Sequence, residues 1–201
     1  MTFSHIVCKI GLRAENSALW NIWRGEYHMG LFGNLFGGKG KQEEQAGGSG
    51  CKPKTVYSPL AGTAIPLADV EDPVFSQGMM GLGVGIIPSE GKLFAPVDGT
   101  VAAVFPTGHA VGMETKDGME LLLHIGIDTV ELKGKGFKAV VQQGAKVKAG
   151  DLLVEFEPDV IKEAGYKDTT MVLVSNAATL GQMSQPVLGT VKPMDELFSF
   201  H

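Results

Sequence analysis

From Lys54 onward the chain is a succession of short apolar runs cut by turn residues, and that rhythm excludes most folds. "KTVYSPLAGTAIPL", "GIIPSEGKLFAPVDGTVAAVF", "HAVGMETKDGMELLLHIGI", "FKAVVQQGAKVKAGDLLVEF", "TTMVLVSN" and "QPVLGTVKPMDELFSF" are rich in valine, isoleucine, leucine and phenylalanine. Gly, Pro, Asp-Gly and Ser-Glu-Gly punctuate them, which reads as strand, turn, strand. The expectation is an all-β chain, an antiparallel β-sandwich or barrel-like hybrid with short helical turns. Only "EPDVIKEAGYKD", Glu157 to Asp168, carries near-helical spacing, through Val160, Ile161 and Ala164.

Composition divides the chain into three parts: 1–28, 29–54 and 55–201. Residues 1–28 show no clean period and end "WRGEYH", directly before "MGLFGNLFGG". Arg-Gly-Glu can be written in all-purine codons just upstream of Met29, where a bacterial ribosome-binding site sits. Translation is therefore expected to begin at Met29, with residues 1–28 a translated leader; a genuine extension is the alternative. Leu31, Phe32, Leu35 and Phe36 gather on one side of a short helix if one forms there, which suits weak contact with a membrane surface. Gly37 to Gly50, "GGKGKQEEQAGGSG", reads as a flexible polar tether, and the folded unit is 55–201.

The net charge of −5 argues against sequence-independent binding to nucleic acid. No apolar run approaches the roughly 20 residues that cross a bilayer, and the start lacks the order of a signal peptide, so a cytoplasmic protein is expected. Cys8 and Cys51 fall outside the folded part and receive no role. A monomer is expected, because no large apolar patch is evident.

The chemistry-bearing residues lie on one hairpin. In "HAVGMETKDGMELLLH", Asp117-Gly118 supplies a tight turn and alternation continues on both sides. Folding about Lys116 to Gly118 brings His109 within a residue or two of the position opposite His124. Strands lie about 4.8 Å apart, so two imidazoles on the same face can meet. A single histidine on an apolar strand is ordinarily a satisfied core residue; a pair joined by a hairpin points to chemistry. Histidine offers a neutral nitrogen nucleophile near neutral pH. No GxxxxGK[ST] loop is present to bind ATP. Gly126, after His124, offers a backbone amide that can approach an anion. A semi-buried imidazole pair beneath an apolar rim suggests phosphoryl transfer between proteins.

"GMELLLHIGIDTVELKGKGF", with "APVDGTV" and "FPTGHAVGMET", resembles enzyme IIA of the glucose family of the bacterial phosphoenolpyruvate-dependent sugar phosphotransferase system. The likeness runs roughly from Thr55 to Phe200, and "MGLFGNLFGG" resembles the amphipathic start of free-standing members. It implies that His124 takes a phosphoryl group on its tele nitrogen from the phosphocarrier protein HPr and passes it to a cysteine of a sugar permease's IIB domain. His109 matches the histidine that stabilises the phosphoryl group, and Thr107 the hydroxyl that orients His109. Asp128 sits where the family has an acid near the site, and Gly126 where an amide can face the phosphoryl group. Phe75 and Phe105 match a hydrophobic, partner-facing ring, with ordinary core as the other reading; Leu122 stands where an aromatic is common. No cofactor is implied as required, although His109 and His124 can bind zinc when a partner adds a ligand.

The departures lie on the partner face: Phe75-Ser76-Gln77 and Gly81-Leu82-Gly83 lack the acidic residues common there, which weakens steering of a basic partner. They leave open which permease, and hence which sugar, the chain serves. Two other classes bear weighing. A lipoyl or biotinyl carrier would place Lys116 at a hairpin tip, but the flanking residues differ from the usual ones and both histidines stay idle. A β-rich zinc endopeptidase needs a further ligand at close spacing, commonly H-x-H, which His124 lacks.

Overall fold

Leu121, Leu123 and Ile125 bury one face of a strand and Leu122 and His124 bury the other, so the run "ELLLHI" is continuous rather than alternating because both sides are covered. In the computed structural model, which describes residues 52–201, this strand is β7 (Glu120–Ile125). It sits inside an eight-stranded antiparallel sheet ordered β12-β2-β3-β11-β7-β6-β5-β9. Its members are β2 (Gly62–Pro66), β3 (Leu82–Pro88), β5 (Gly99–Val104), β6 (Ala110–Glu114), β9 (Lys146–Val147), β11 (Thr170–Val174) and β12 (Gly189–Val191). A three-stranded sheet, β4 (Lys92–Phe94), β10 (Leu152–Phe156) and β8 (Phe137–Ala139), and the pair β1 (Thr55–Tyr57) and β13 (Glu196–Ser199) complete the fold. The expected antiparallel all-β architecture is what the described residues adopt.

The main core lies on one face of the large sheet. Val84, Ile86, Val111, Met113, Leu123 and Val172 meet Leu93, Leu153 and Phe156 from the smaller sheet there, with Val56 and Phe198 from the terminal pair. The opposite face of β3, β11 and β7 is buried too, by residues outside that core: Val70, Val74, Phe75 and Met80 all come from the connection between β2 and β3. Gly85 fits this second layer because a Cβ there would come within 2.8 Å of Val70 Cγ2.

Among the described residues, two short α-helices punctuate the strands. The helical spacing around Val160 appears as α2 (Pro158–Glu163), with proline in its first turn and Ile161 buried. A second helix, α1 (Pro73–Ser76), was not expected; the buried Asp72 caps it, accepting from the amides of Val74 at 2.8 Å and Phe75 at 3.4 Å. No helix among the described residues is long and apolar enough to cross a membrane. The expectations about Leu31, Phe32, Leu35 and Phe36, the start at Met29 and the tether to Gly50 fall outside the described residues.

Candidate functional site: a histidine pair at the end of a hairpin

The β6–β7 hairpin closes where the sequence expects. Thr115 N–H donates to Met119 O at 3.0 Å, leaving Lys116 to Gly118 as the loop, with Gly118 at φ +82°. Ala110 is then directly opposite His124, and Met171 of β11 flanks His124 on the other side. His109 lies one residue before β6, where its carbonyl accepts from Ile125 N–H at 2.8 Å. A regular strand would send His109 to the face opposite Ala110. The turn before it, in which Gly108 takes φ +70° and donates to Phe105 O at 2.7 Å, re-aims the chain. The two imidazoles meet edge to face, with centroids 4.9 Å apart and planes at 82°.

Each ring is held at Nδ1. The Nδ1 of His124 donates to Gly126 O at 2.9 Å, which leaves the lone pair on Nε2. The Nδ1 of His109 is hydrogen-bonded to Thr107 Oγ1, while its Nε2 is buried with no hydrogen-bond partner. Burial, and then the neighbouring His124, push the pKa of His109 from its ordinary 6.5 down to about 3, so the ring is neutral at physiological pH. Phe75 packs against His124 with centroids 5.1 Å apart, and Phe105 edge-on against His109 at 5.6 Å.

The sequence places these residues well and misjudges two of their settings. The pair is fully buried rather than semi-buried, with His109 0% and His124 1% exposed. The amide of Gly126 does not face an incoming anion. It donates to Thr169 O at 3.1 Å, and it is the carbonyl of Gly126 that serves the site, by orienting His124. Gly126 has φ +76°, and a Cβ there would overlap Thr129 Cγ2 and come within 2.7 Å of Lys167 O.

The remaining candidates are spread around the pair. Phe75 is only 2% exposed, a wall against His124 rather than a partner-facing ring, whereas Phe105 is partly exposed. Leu122 is buried on the His124 face, between Gly112 and Leu173. Asp128 is half-buried in left-handed backbone, ahead of the 3-10 turn Thr129–Leu132. Sequence reasoning missed Asp72, although Asp-Pro ahead of an apolar pair is a helix-start signal, and Met79, 45% exposed just beyond α1.

Chemically, the pair offers one nucleophilic nitrogen beside a second, neutral imidazole. It would give a tetrahedral zinc two of its four ligands. Among the described residues no group of three or more His, Cys, Asp or Glu is placed to complete such a site, which counts against a self-contained zinc peptidase. Lys116, the residue a carrier domain would acylate, stands exposed at the hairpin tip, away from both histidines.

A family profile described as "phosphoenolpyruvate-dependent sugar phosphotransferase system, EIIA 1" matches residues 54–180. A glucose-specific EIIA component from Halalkalibacterium halodurans is 45% identical over 146 residues, 73% of this chain and 83% of that protein. A β-glucoside-specific EIIBCA component from the same organism is 52% identical over 128 residues, 64% of this chain. The chain spans about a fifth of the length of such EIIBCA relatives, 20% and 21% in two cases. Among solved structures, the glucose permease IIA from Mycoplasma capricolum superposes with a TM-score of 0.66 at 38% identity, over 72% of this chain and 93% of that one.

Proposed function

Because the chain belongs to the EIIA 1 family of the phosphoenolpyruvate-dependent sugar phosphotransferase system, we propose that it is a phosphocarrier acting between HPr and a sugar permease. His124 accepts the phosphoryl group from the phosphohistidine of HPr and passes it to a cysteine of the permease's IIB domain, on the cytoplasmic side. In the first step the Nε2 lone pair forms a new P–N bond as the P–N bond on HPr breaks, that electron pair returning to the HPr ring. In the second, the cysteine thiolate forms a P–S bond and the electron pair of the breaking P–N bond returns to His124.

The observation that carries this reading is the held tautomer of His124: its Nδ1–H is engaged by Gly126 O at 2.9 Å, so Nε2 is the nucleophile. As Nε2 bonds to phosphorus the ring becomes cationic, and the Gly126 carbonyl facing Nδ1–H stabilises that charge. His109 works as a neutral donor. The hydroxyl of Thr107 donates to its Nδ1, which keeps the ring proton on Nε2 for a phosphoryl oxygen. Positioning and charge stabilisation of this kind supply most of the catalysis in phosphoryl transfer.

Because the pair is buried, docking has to displace side chains around Nε2 before phosphorus comes within bonding distance. Met79, exposed in the β2–β3 connection that also carries Phe75, supplies apolar surface for that docking, and Asp128 supplies acidic charge near the rim. Relatives named glucose-specific and β-glucoside-specific support a permease for sugars of that class.

The test is incubation of the full chain with phosphoenolpyruvate, enzyme I and HPr, followed by phosphosite mapping. One acid-labile phosphoryl group on His124 is expected, absent in His124→Ala; full labelling of that variant would refute the assignment. His109→Ala should still accept label but transfer it onward far more slowly, and an unchanged transfer rate would remove His109 from the mechanism.

A further inference from the structure

The carbonyl that fixes His124 is itself suspended from a second strand. Gly126 N–H donates to Thr169 O at 3.1 Å, and the next amide, Ile127 N–H, donates to Lys167 O at 2.9 Å. The residue between those two acceptors is Asp168. Its side chain is buried, the residue only 5% exposed, and Lys162 Nζ of α2 lies 2.9 Å from its Oδ2. The ammonium is thus within hydrogen-bonding distance of Oδ2, and the buried carboxylate raises the pKa of Lys162 in return.

A buried carboxylate costs several kcal/mol unless a counter-charge offsets it, and removing that counter-charge leaves the burial uncompensated. Lys162, itself largely exposed, supplies the charge, and the place of the pair links it to the site. Tyr166 N–H, at the end of the return from α2, donates to Ile161 O at 3.1 Å, so the segment 166–169 is hooked to α2 by its backbone at one end and by the ion pair near the other. That segment carries both carbonyls that hold the Gly126–Ile127 turn, and the turn carries the carbonyl that selects the His124 tautomer. Thr170 Oγ1 also donates to Asp168 O, at 3.3 Å, one residue before Met171 pairs with His124.

We infer that Asp168, through its ion pair with Lys162, is a positioning residue for His124, fixing the 167–169 carbonyls so that Gly126 O stays on Nδ1–H and Nε2 keeps its lone pair. The inference deepens the phosphocarrier reading and rests on it for its catalytic consequence; its structural part concerns the free protein and is measured without any partner.

The experiment uses the full chain labelled with 15N-histidine, in Asp168→Asn, Lys162→Gln and Lys162→Arg variants. Nitrogen shifts and long-range proton couplings report the His124 tautomer, and phosphoryl acceptance from phosphorylated HPr reports the rate. The parent protein is expected to show a single Nδ1–H tautomer. Asp168→Asn and Lys162→Gln should mix in the Nε2–H form and slow acceptance about tenfold, within what ångström-scale misplacement costs. Lys162→Arg, which keeps the charge, should behave like the parent. Should Asp168→Asn fail to fold, Lys162→Gln decides alone, because that lysine is largely exposed. Folded variants with parental His124 nitrogen shifts and parental rates would overturn the proposal, as would a parent protein holding the other tautomer. A tautomer shift in the variants with no labelling of the parent would instead remove the phosphocarrier reading and leave the positioning role standing.

Discussion

His109 shows how burial decides protonation. Its pKa is pushed to about 3, first by desolvation and then by His124, against an ordinary 6.5. Between those values the unfolded chain takes up a proton that the native ring refuses, so stability falls as pH falls. The contribution is complete above pH 6.5 and declines by up to about 1.4 kcal/mol for each pH unit below it. The His109 ring proton signals should accordingly show no titration between pH 5 and 8, and a midpoint near 6.5 would contradict this account. Gly126 makes the complementary point about backbone. An alanine there would be strained at φ +76° and would overlap Thr129 Cγ2, so Gly126→Ala should cost about 2 kcal/mol or more by chemical denaturation and release the His124 tautomer. Parental stability in that variant would mean that the turn can relax without cost. At this scale the sequence names the histidines because imidazole on an apolar strand is anomalous. It cannot reveal that Gly126 acts through its carbonyl, because that depends on the φ of Gly126 and on the Thr169 acceptor, more than forty positions away (126 against 169).

At the scale of elements, the hairpin is legible because its register follows from one loop. Asp117-Gly118 fixes the turn, the turn fixes Ala110 opposite His124, and the histidine pair follows within a residue. The α1 turn is less legible: with only four residues, Pro73–Ser76, it is too short to show a helical period, and its meaning comes from packing. Asp72 holds the amides of Val74 and Phe75, and Phe75 packs on His124, so a capping carboxylate indirectly builds one wall of the site. Asp72→Ala should lower stability by about 1 to 2 kcal/mol, the usual range for a lost N-cap, and alter the environment of the His124 ring. Asp72→Asn, which keeps an acceptor, should lose much less. Equal denaturation midpoints for the alanine variant and the parent would show that α1 does not depend on its cap.

Across the whole molecule, the order of the chain separates its described start from its chemistry. Lys52 N–H donates to the Tyr57 hydroxyl at 3.0 Å, Lys54 N–H to Asp117 Oδ2 at 3.0 Å, and Lys54 Nζ to Leu180 O at 3.2 Å. The bond to Asp117 ties Lys54 to the tip of the β6–β7 hairpin, whereas the imidazoles lie at its other end. With five residues in β6 and about 3.4 Å per residue, the two ends are on the order of 17 Å apart. Among the described residues, Thr107, Gly126, Phe75 and Phe105 are the groups shown to hold His109 and His124, and all of them lie beyond these anchors in the chain. A chain beginning at Lys52 should therefore accept phosphoryl groups from HPr at the parental rate and unfold at the parental denaturant midpoint. A chain beginning at Thr55 loses the Lys52 and Lys54 anchors and should unfold earlier while retaining its acceptor. If removal of residues 1–51 abolished labelling in a protein that still folds, the acceptor would depend on residues outside the hairpin and its neighbours, and the separation drawn from chain order would be wrong.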